Sequence, residues 1–295
     1  MTFVRRVLLV GGAGYIGSYL FPRLVADGYS VDVCDLGKRG LPLGPVHYPC
    51  AYADLQPEQL AEYDRVLWFA GHSSVPISSE DPHGALANNC FDLYHFARKL
   101  TPATRLIYAS TASLYSGITQ STSPCHEDQP IAPNRNAYDI SKFAFDYIAS
   151  GFLSNFVGLR MGTLSGYSPN MRPELIFNAM NISALQTGVI HVSNPEASRS
   201  LLFLSDLHQA IRKCIDLTSC PDGFFNLASV SGTIGDIARM IADHHGAKIH
   251  TFPGSSTYSF QVATEKAETT FDMQFSSDMS HHCREFTRTW MEQHG

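Results

Sequence analysis

The sequence VLLVGGAGYIG, at residues 7–17, joins an apolar run to a glycine-rich turn and then to a helical pattern. Its glycines have separate tasks. Gly11 allows a tight turn, Gly14 lets the backbone approach a phosphate without a side chain in the way, and Gly17 lets the helix lie close to the strand. Bare N–H groups and a helix N-terminus then surround one point, where a pyrophosphate can bind. The stretch therefore predicts the phosphate-binding turn of a dinucleotide site.

Outward from this turn, apolar strands alternate with helical patterns over the first two-thirds of the chain. This alternation is typical of an α/β fold, a Rossmann-like doubly wound parallel sheet. The segments expected as strands are 4–10, 30–35, 65–70, 104–110 and 152–160, and those expected as helices include 16–27 and 82–100.

From Gly162 onward the alternation gives way to Pro, Asn and Ser. We therefore expect a smaller C-terminal substrate-binding part that packs on the first. The expected division assigns residues 1–162 to an NAD-binding Rossmann domain, to which 199–228 return, and assigns 163–198 and 229–295 to the smaller part.

The composition limits the classes of partner. The 295 residues suit one large α/β domain or one domain with an appendage, and a net charge of −6 without a basic face argues against nucleic acid. Seven cysteines without a C-x-x-C pair predict neither a disulfide framework nor a zinc site. The apolar N-terminus is too short for a signal peptide or a membrane helix. We expect a cytoplasmic protein that binds neither membrane nor metal, with the pairs His244-His245 and His281-His282 on its surface.

The second expected strand ends on an acid, Asp35. A carboxylate at this position accepts hydrogen bonds from the adenosine ribose and repels a 2′-phosphate, so the pattern favours NAD over NADP. Lys38 and Arg39 follow closely and could receive a phosphate, which leaves NADP open.

The segment YDISK, at residues 138–142, sets Tyr138 and Lys142 four residues apart, on one face of an expected helix. A neighbouring cation and a positive nicotinamide ring favour the phenolate, so Tyr138 could act as a base near neutral pH. The same spacing also arises by accident on amphipathic helices. Upstream, STASLY at 110–115 places hydroxyl groups at the carboxyl end of a strand, where open α/β sheets bind ligands.

From about residue 4 to about 230 the chain resembles the extended short-chain dehydrogenases/reductases of the NAD-dependent epimerase/dehydratase family. The motifs that carry the resemblance occur in the family's order. They are the glycine turn, Asp35, Asp54-Leu55, Phe69-Ala70-Gly71, Asn88, residues 110–115, Glu127-Asp128, residues 138–142, Leu159-Arg160, Arg199 with residues 204–207, and Phe225-Asn226-Leu227.

The resemblance implies a role for each matching residue, with Thr111, Tyr138 and Lys142 as the catalytic residues. The cofactor would be NAD, with Asp54 and Leu55 at its adenine. Its expected contacts are Gly11, Gly14, Tyr15, Ile16, Gly17, Asp35, Asp54, Leu55, Phe69, Ala70, Gly71, Asn88, Tyr138 and Lys142. The expected substrate contacts are Ser73, Thr111, Ser113, Thr163, Asn178 and Arg199. The implied partners are a small-molecule substrate, a nucleotide sugar, and a second copy of the chain, paired through helices 82–100 and 138–151 into a homodimer.

Departures from the family pattern narrow the implied activity. The family's dehydratases carry Asp-Glu directly after the catalytic Thr, because elimination needs its own acid and base. Its UDP-glucuronate decarboxylases carry Glu at the second of these two positions. In this chain the two positions are Ala112 and Ser113. The Asn that usually follows Arg160 is replaced by Thr163, and Gln261 lies near the place of a late arginine.

The expected function is therefore that of an NAD-dependent nucleotide-sugar epimerase, acting at C4 through a keto sugar. An NAD(P)-dependent sugar dehydrogenase or 4-ketoreductase is the alternative, and a non-catalytic NAD(P)-sensing protein is a third hypothesis. His72, Cys125 and His126 could act as acids or bases, but packing or solvent-facing roles suit them better.

Overall fold

The core of the molecule is a parallel sheet, and the computed structural model describes residues 4–38, 48–117, 123–254 and 257–294. The strands are β1 (Arg6–Val10), β2 (Ser30–Cys34), β3 (Arg65–Trp68), β4 (Arg105–Thr111), β5 (Phe156–Met161), β6 (Thr163–Ser165), β7 (Val189–Ser193), β8 (Ser198–Phe203), β9 (Gly223–Leu227), β10 (Val230–Thr233) and β11 (Lys248–Phe252). Six of them form one all-parallel sheet in the order β2-β1-β3-β4-β5-β9. The order reverses between β1 and β3, which is the point where such sheets bind their ligands.

Helices cover both faces of this sheet. The α-helices of the described residues, on this sheet and elsewhere, are α1 (Tyr15–Ala26), α2 (Pro57–Leu60), α3 (Val75–Glu80), α4 (Pro82–Leu86), α5 (Asp92–Ala97), α6 (Ala137–Phe152), α7 (Ile176–Thr187), α8 (Leu204–Asp216), α9 (Ile234–His245), α10 (Glu265–Phe271) and α11 (Met279–His294). Successive side chains of a strand point to opposite faces, so Val7 and Leu9 pack with α1 and α8 while Leu8 and Val10 pack with α5 and α6. Burial on both faces explains the continuous apolar run of β1.

The rest of the chain forms two smaller sheets, β10-β8-β6 and β11-β7, and a separate core with α7, α9 and α11. We propose that this region is the substrate-binding part. Because α8 and β9 pack with the main sheet, residues 204–227 belong in this proposal to the first part, whereas 199–203 lie on β8 in the second.

Three local features differ from the sequence expectations. Helix α6 continues to Phe152, so β5 begins at Phe156 rather than at 152. The segment expected as one helix over 82–100 is divided into α4, a π-helical turn (Ala87–Phe91) and α5. His282 is not on the surface: it is buried, and its ring stacks on Phe203 with centroids 3.5 Å apart.

Among the residues that the structure describes, no helix combines the length and the apolar character needed to cross a membrane. Within the same ranges, no group of three or more His, Cys, Asp or Glu side chains could hold a metal ion.

Candidate active site

A cleft of about 340 Å³ lies at the carboxyl ends of β1, β3 and β4. It brings the glycine turn, the end of β2 and the start of α6 to one place. Its lining includes Gly11, Gly14, Tyr15, Ile16, Asp35, Lys38, Phe69, Ala70, Gly71, His72, Ser73, Asn88, Ser110, Tyr138, Lys142 and Arg172. Residues expected at the cofactor from five separate motifs thus line one cavity.

The glycine turn leaves no room for side chains. Gly11 has φ +87°, and a Cβ on it would lie 2.6 Å from the backbone N of Ala70. A Cβ on Gly17 would collide with the carbonyl oxygen of Gly11 and with Gly12, so this glycine lets α1 begin against the turn. A Cβ on Gly14 would lie 3.3 Å from that same oxygen. The close backbone packing and the start of α1 fit a pyrophosphate group.

Asp35 ties the end of β2 to the glycine turn. Its Oδ2 accepts a hydrogen bond from the N–H of Ala13 at 2.9 Å, and its Oδ1 accepts one from the N–H of Gly37 at 2.8 Å. Each carboxylate oxygen keeps a lone pair for a ribose hydroxyl. Lys38 lines the cleft, and Arg39 lies outside the described residues.

The two residues expected at the adenine, Asp54 and Leu55, do not line the cleft. Leu55 is 1% exposed, because its side chain packs in the core under β1 and β3, and Asp54 is exposed on a short turn before it. Among the described residues, Cys50 and Tyr52 form this wall of the cleft instead. The hydroxyl of Tyr52 lies 2.6 Å from Oδ1 of Asn88, so this tyrosine also fixes an expected cofactor contact.

Tyr138 and Lys142 both lie in the first two turns of α6, which Asn136 caps by accepting the N–H of Asp139. The side chain of Thr111 is hydrogen-bonded to Tyr138. Nζ of Lys142 donates to the carbonyl of Ala109 at 2.9 Å, and burial lowers the pKa of this ammonium to about 8. The three expected catalytic side chains therefore meet at the end of β4.

The expected phenolate of Tyr138 depends on a neighbouring cation and on the positive nicotinamide ring, and the protein's own groups act on its pKa in both directions. Burial raises the pKa of Tyr138 above its ordinary value. A hydrogen bond donated by Thr111 and the positive charge of Arg172 lower this pKa, and the charge of Asp139 raises it. Arg172 lines the cleft, and its guanidinium donates to the carbonyl of Ser73 at 2.9 Å. It lies outside the sequence motifs and was missed.

A chain of polar contacts connects Thr111 to the C-terminal region. Oγ1 of Thr111 lies 2.9 Å from Oγ of Ser113, and Ser113 donates to the buried carboxylate of Asp139. The hydroxyl of Tyr258 donates to the same carboxylate at 2.9 Å. Ser113, which was expected to contact the substrate, thus lies beside Thr111. Asp139 occupies an unspecified position of the 138–142 motif and Tyr258 lies outside every motif, so neither was identified from the sequence.

Arg199, on β8, is buried without a carboxylate partner among the described residues. It donates to the hydroxyl of Thr257 at 2.7 Å and to the carbonyl of Ser198, and it lies over the rings of Tyr258 and Phe260. Burial lowers the pKa of this guanidinium to about 10, so it remains a cation at neutral pH. A buried cation among neutral groups suits an anionic ligand.

Asn178 was expected to contact the substrate, but the structure places it in the interior, where it connects three segments of the chain. It is fully buried, its Nδ2 donates to the hydroxyl of Tyr15 and to the carbonyl of Arg172, and its Oδ1 accepts the N–H of Gly166. Thr163 is half-buried on β6.

The three further acid or base candidates lie in different surroundings. His72 lines the cleft, with Nδ1 3.2 Å from the amide of Asn88 and Nε2 3.4 Å from Asp81. Cys125 is buried in a small apolar cluster beside Val262, and His126 is exposed.

Comparison with known proteins gives the following matches. The model of the NAD-dependent epimerase/dehydratase family matches residues 7–228. UDP-glucose 4-epimerase from Halalkalibacterium halodurans is 25% identical over an alignment of 306 positions, gaps included, that covers 89% of this chain and 88% of that protein. UDP-glucuronic acid decarboxylase 1 from Danio rerio is 25% identical, but over 69% of this chain and only 52% of its own length. The crystal structure of UDP-glucose 4-epimerase from Thermotoga maritima, with UDP-glucose, superposes with a TM-score of 0.82 at 18% identity, covering 98% of this chain and 99% of that one.

Proposed function

Because the chain belongs to the NAD-dependent epimerase/dehydratase family, we propose that this NAD-dependent sugar enzyme is a nucleotide-sugar epimerase that inverts C4. One observation carries the proposal: Tyr138, Lys142 and the hydroxyl of Thr111 meet beside the cleft that the glycine turn builds. Ala112 and Ser113 offer no carboxylic acid for an elimination or a decarboxylation, which favours simple oxidation and reduction of an alcohol.

In this proposal NAD lies along the glycine turn, with its ribose at Asp35 and its nicotinamide end near Tyr138 and Lys142. When bound, NAD supplies reversible hydride transfer at the sugar carbon. Gly11 and Gly17 allow the turn to pack closely on Ala70 and on the start of α1, because a Cβ on either would collide with backbone. The N-terminus of α1 beside this turn would hold the pyrophosphate. The carboxylate of Asp35 favours NAD over NADP because it repels a 2′-phosphate.

Tyr138 accepts the proton of the C4 hydroxyl, and Thr111 holds the same oxygen in place. Lys142 remains largely protonated below about pH 8, so it supplies a positive charge in the cleft at neutral pH. An epimerase also needs the keto sugar to turn over in the pocket, so that the alcohol forms again with the opposite configuration.

Arg199 supports a nucleotide-linked substrate. Its buried guanidinium has neutral partners, and a diphosphate would supply the missing negative charge. The curated relatives named above act on UDP-sugars by their names, which supports a nucleotide sugar as the substrate class.

The test is to incubate the purified protein with UDP-glucose, UDP-galactose and related nucleotide sugars and to follow the sugar protons by NMR. We expect the C4 epimer to appear without net formation of reduced nicotinamide. Stoichiometric reduced nicotinamide without a new stereoisomer would show a dehydrogenase instead, and reaction only when reduced cofactor is added to a keto sugar would show a ketoreductase.

A further inference from the structure

Residues 166–172, between β6 and α7, form a rim segment beside the start of α1. Side chains of this segment donate hydrogen bonds to backbone of the glycine turn. The hydroxyl of Ser168 donates to the carbonyl of Tyr15 at 2.7 Å, and the amide of Asn170 donates to the carbonyl of Ala13 at 2.5 Å. The first part of the rim segment is therefore fixed to the residues that follow β1.

The last residue of the rim segment, Arg172, bonds to the residues that follow β3. Its guanidinium donates to the carbonyl of exposed Ser73 at 2.9 Å, and its Nε donates to the exposed carboxylate of Glu174 at 2.7 Å. Arg172 and Ser73 both line the cleft. Because the order of the sheet reverses between β1 and β3, ligands bind between the segments that follow these two strands. The rim segment bonds to both, so it spans this crevice.

The two ends of the rim segment differ in how easily they can open. Ser168 is buried, and its hydroxyl lies 2.6 Å from that of Ser18, so this end cannot leave the glycine turn without breaking packed contacts. Arg172 holds the other end through the tip of a long side chain at the solvent edge. A change of its rotamer breaks the bond to Ser73 while the backbone stays in place. The Arg172 end is therefore the one that can open to let a ligand pass.

We propose that Arg172 is a positioning residue that closes the cofactor cleft through its hydrogen bond to Ser73 and so slows the release of reduced cofactor. The inference rests on the proposed function in one respect: inversion at C4 needs the reduced cofactor to stay in the cleft until the keto sugar has turned over. A cation at the edge of a cleft can also act in a second way, by attracting an anionic dinucleotide. Attraction acts mainly on the association rate, whereas closure acts on the release rate, so the two effects can be separated.

The experiment measures how fast NADH leaves the protein when no sugar is present. Protein loaded with NADH is mixed in a stopped-flow instrument with a large excess of NAD, and the change in nicotinamide fluorescence gives the release rate. We expect Arg172→Met to raise this rate about tenfold, since it removes a hydrogen bond from a charged donor. The association rate should change less than the release rate. Arg172→Lys keeps the charge and can still donate to one carbonyl, so its release rate should stay within about threefold of the parent.

Arg239→Met is the matched control. This arginine lies exposed on α9, pairs with Asp236 and does not line the cleft, so both rates should equal those of the parent. Arg172→Gln, which stays polar but is too short for the same bond, should also release NADH about tenfold faster, and it replaces Arg172→Met if that variant does not fold.

An unchanged release rate in folded Arg172→Met or Arg172→Gln, or a fall in the association rate alone, would overturn the inference. Since the measurement contains no sugar, that result leaves the epimerase proposal standing. Faster release in a variant of a protein that inverts no nucleotide sugar would instead support closure and overturn the epimerase proposal.

Discussion

Tyr138 lines the cleft, and its side chain interacts with Thr111 in addition to the substrate that we propose for it. This placement allows its chemical role to be separated from its packing role. Phenylalanine keeps the ring and removes only the hydroxyl.

We expect Tyr138→Phe to lower kcat about 10²- to 10⁴-fold, since proton transfer is lost, while the dissociation constant of NAD changes little. Steady-state kinetics and calorimetric NAD titration measure the two effects. Tyr147→Phe, an exposed tyrosine on the same helix, is the control and should keep full activity. Unchanged turnover in Tyr138→Phe would remove it from the mechanism, and unchanged biological output from an inactive variant would favour the NAD(P)-sensing hypothesis.

Lys142 should leave a signature in the pH dependence of stability. Its pKa in the folded protein is about 8, against an ordinary value of 10.5, so folding disfavours its protonated form. The resulting loss of stability is complete below pH 8, and it disappears as the pH rises towards 10.5. The unfolding free energy of the parent minus that of Lys142→Met should therefore rise by about 3 kcal/mol across this window. Urea denaturation without cofactor at several pH values measures it, and a flat difference would contradict the lowered pKa.

At the scale of elements, we expect alanine to have opposite effects on stability at one glycine of α1 and one glycine of α6. A Cβ on Gly17 in α1 would collide with backbone of the phosphate turn, whereas a Cβ on Gly151 in α6 would meet nothing within 4 Å. Gly17→Ala should cost about 1–3 kcal/mol of stability and weaken NAD binding at least about tenfold, because the turn must shift.

Gly151→Ala is the matched substitution. It should raise the free energy of unfolding by about 0.5–1 kcal/mol, since alanine loses less backbone entropy than glycine when the helix forms. Denaturant unfolding and NAD titration of both variants check the pair. Equal behaviour of the two variants would show that the turn tolerates a side chain.

The elements nearest the glycine turn could be predicted from the sequence because their signals are local. Strand, turn and helix over 6–26 follow from apolar burial and three glycines. The end of α6 was missed because Phe152 is an exposed aromatic residue, and a local pattern cannot distinguish it from the first residue of a strand. The π-helical turn at Ala87–Phe91 has no sequence signal, although it contains the buried Asn89, which bonds the carbonyl of His72 and the hydroxyl of Ser141.

For the candidate site, too, residues in local motifs could be predicted, and residues brought in by long-range packing could not. Thr111, Tyr138 and Lys142 lie in motifs, and their meeting at one strand end follows from sheet topology. Arg172 and Tyr258 come from irregular segments, and only long-range packing brings them to the cleft or its hydroxyl network. Leu55 shows another limit of a motif: its position does not say whether the side chain or the backbone would face the ligand, and here the side chain is in the core.

At the scale of the whole molecule, one surface of α6 is apolar and uncovered. Ile140 and Tyr147 are exposed, with Phe143 between them at helical spacing, and Phe152 follows at the end of the helix. The inner face of the same helix packs on the main sheet through Phe145 and Ala149. A helix that is apolar on two faces fits burial on both, so we propose that the second face pairs with α6 and the 82–97 segment of another copy.

If α6 pairs with a second copy in this way, the protein is a homodimer, and one charged side chain on the exposed face of α6 should disrupt it. Tyr147 is 72% exposed, so Tyr147→Glu should not affect the fold of the monomer, but in a dimer it would bury an unpaired carboxylate. We expect the parent to have the mass of a dimer and Tyr147→Glu that of a monomer by light scattering after size exclusion. Met291→Glu, an equally drastic change at an exposed position on α11, should remain dimeric. A monomeric parent at micromolar concentration would refute the pairing, and a dimeric Tyr147→Glu would move the interface elsewhere. Since Tyr138 and Lys142 line the cleft together with the glycine turn of the same chain, the monomeric variant should still bind NAD.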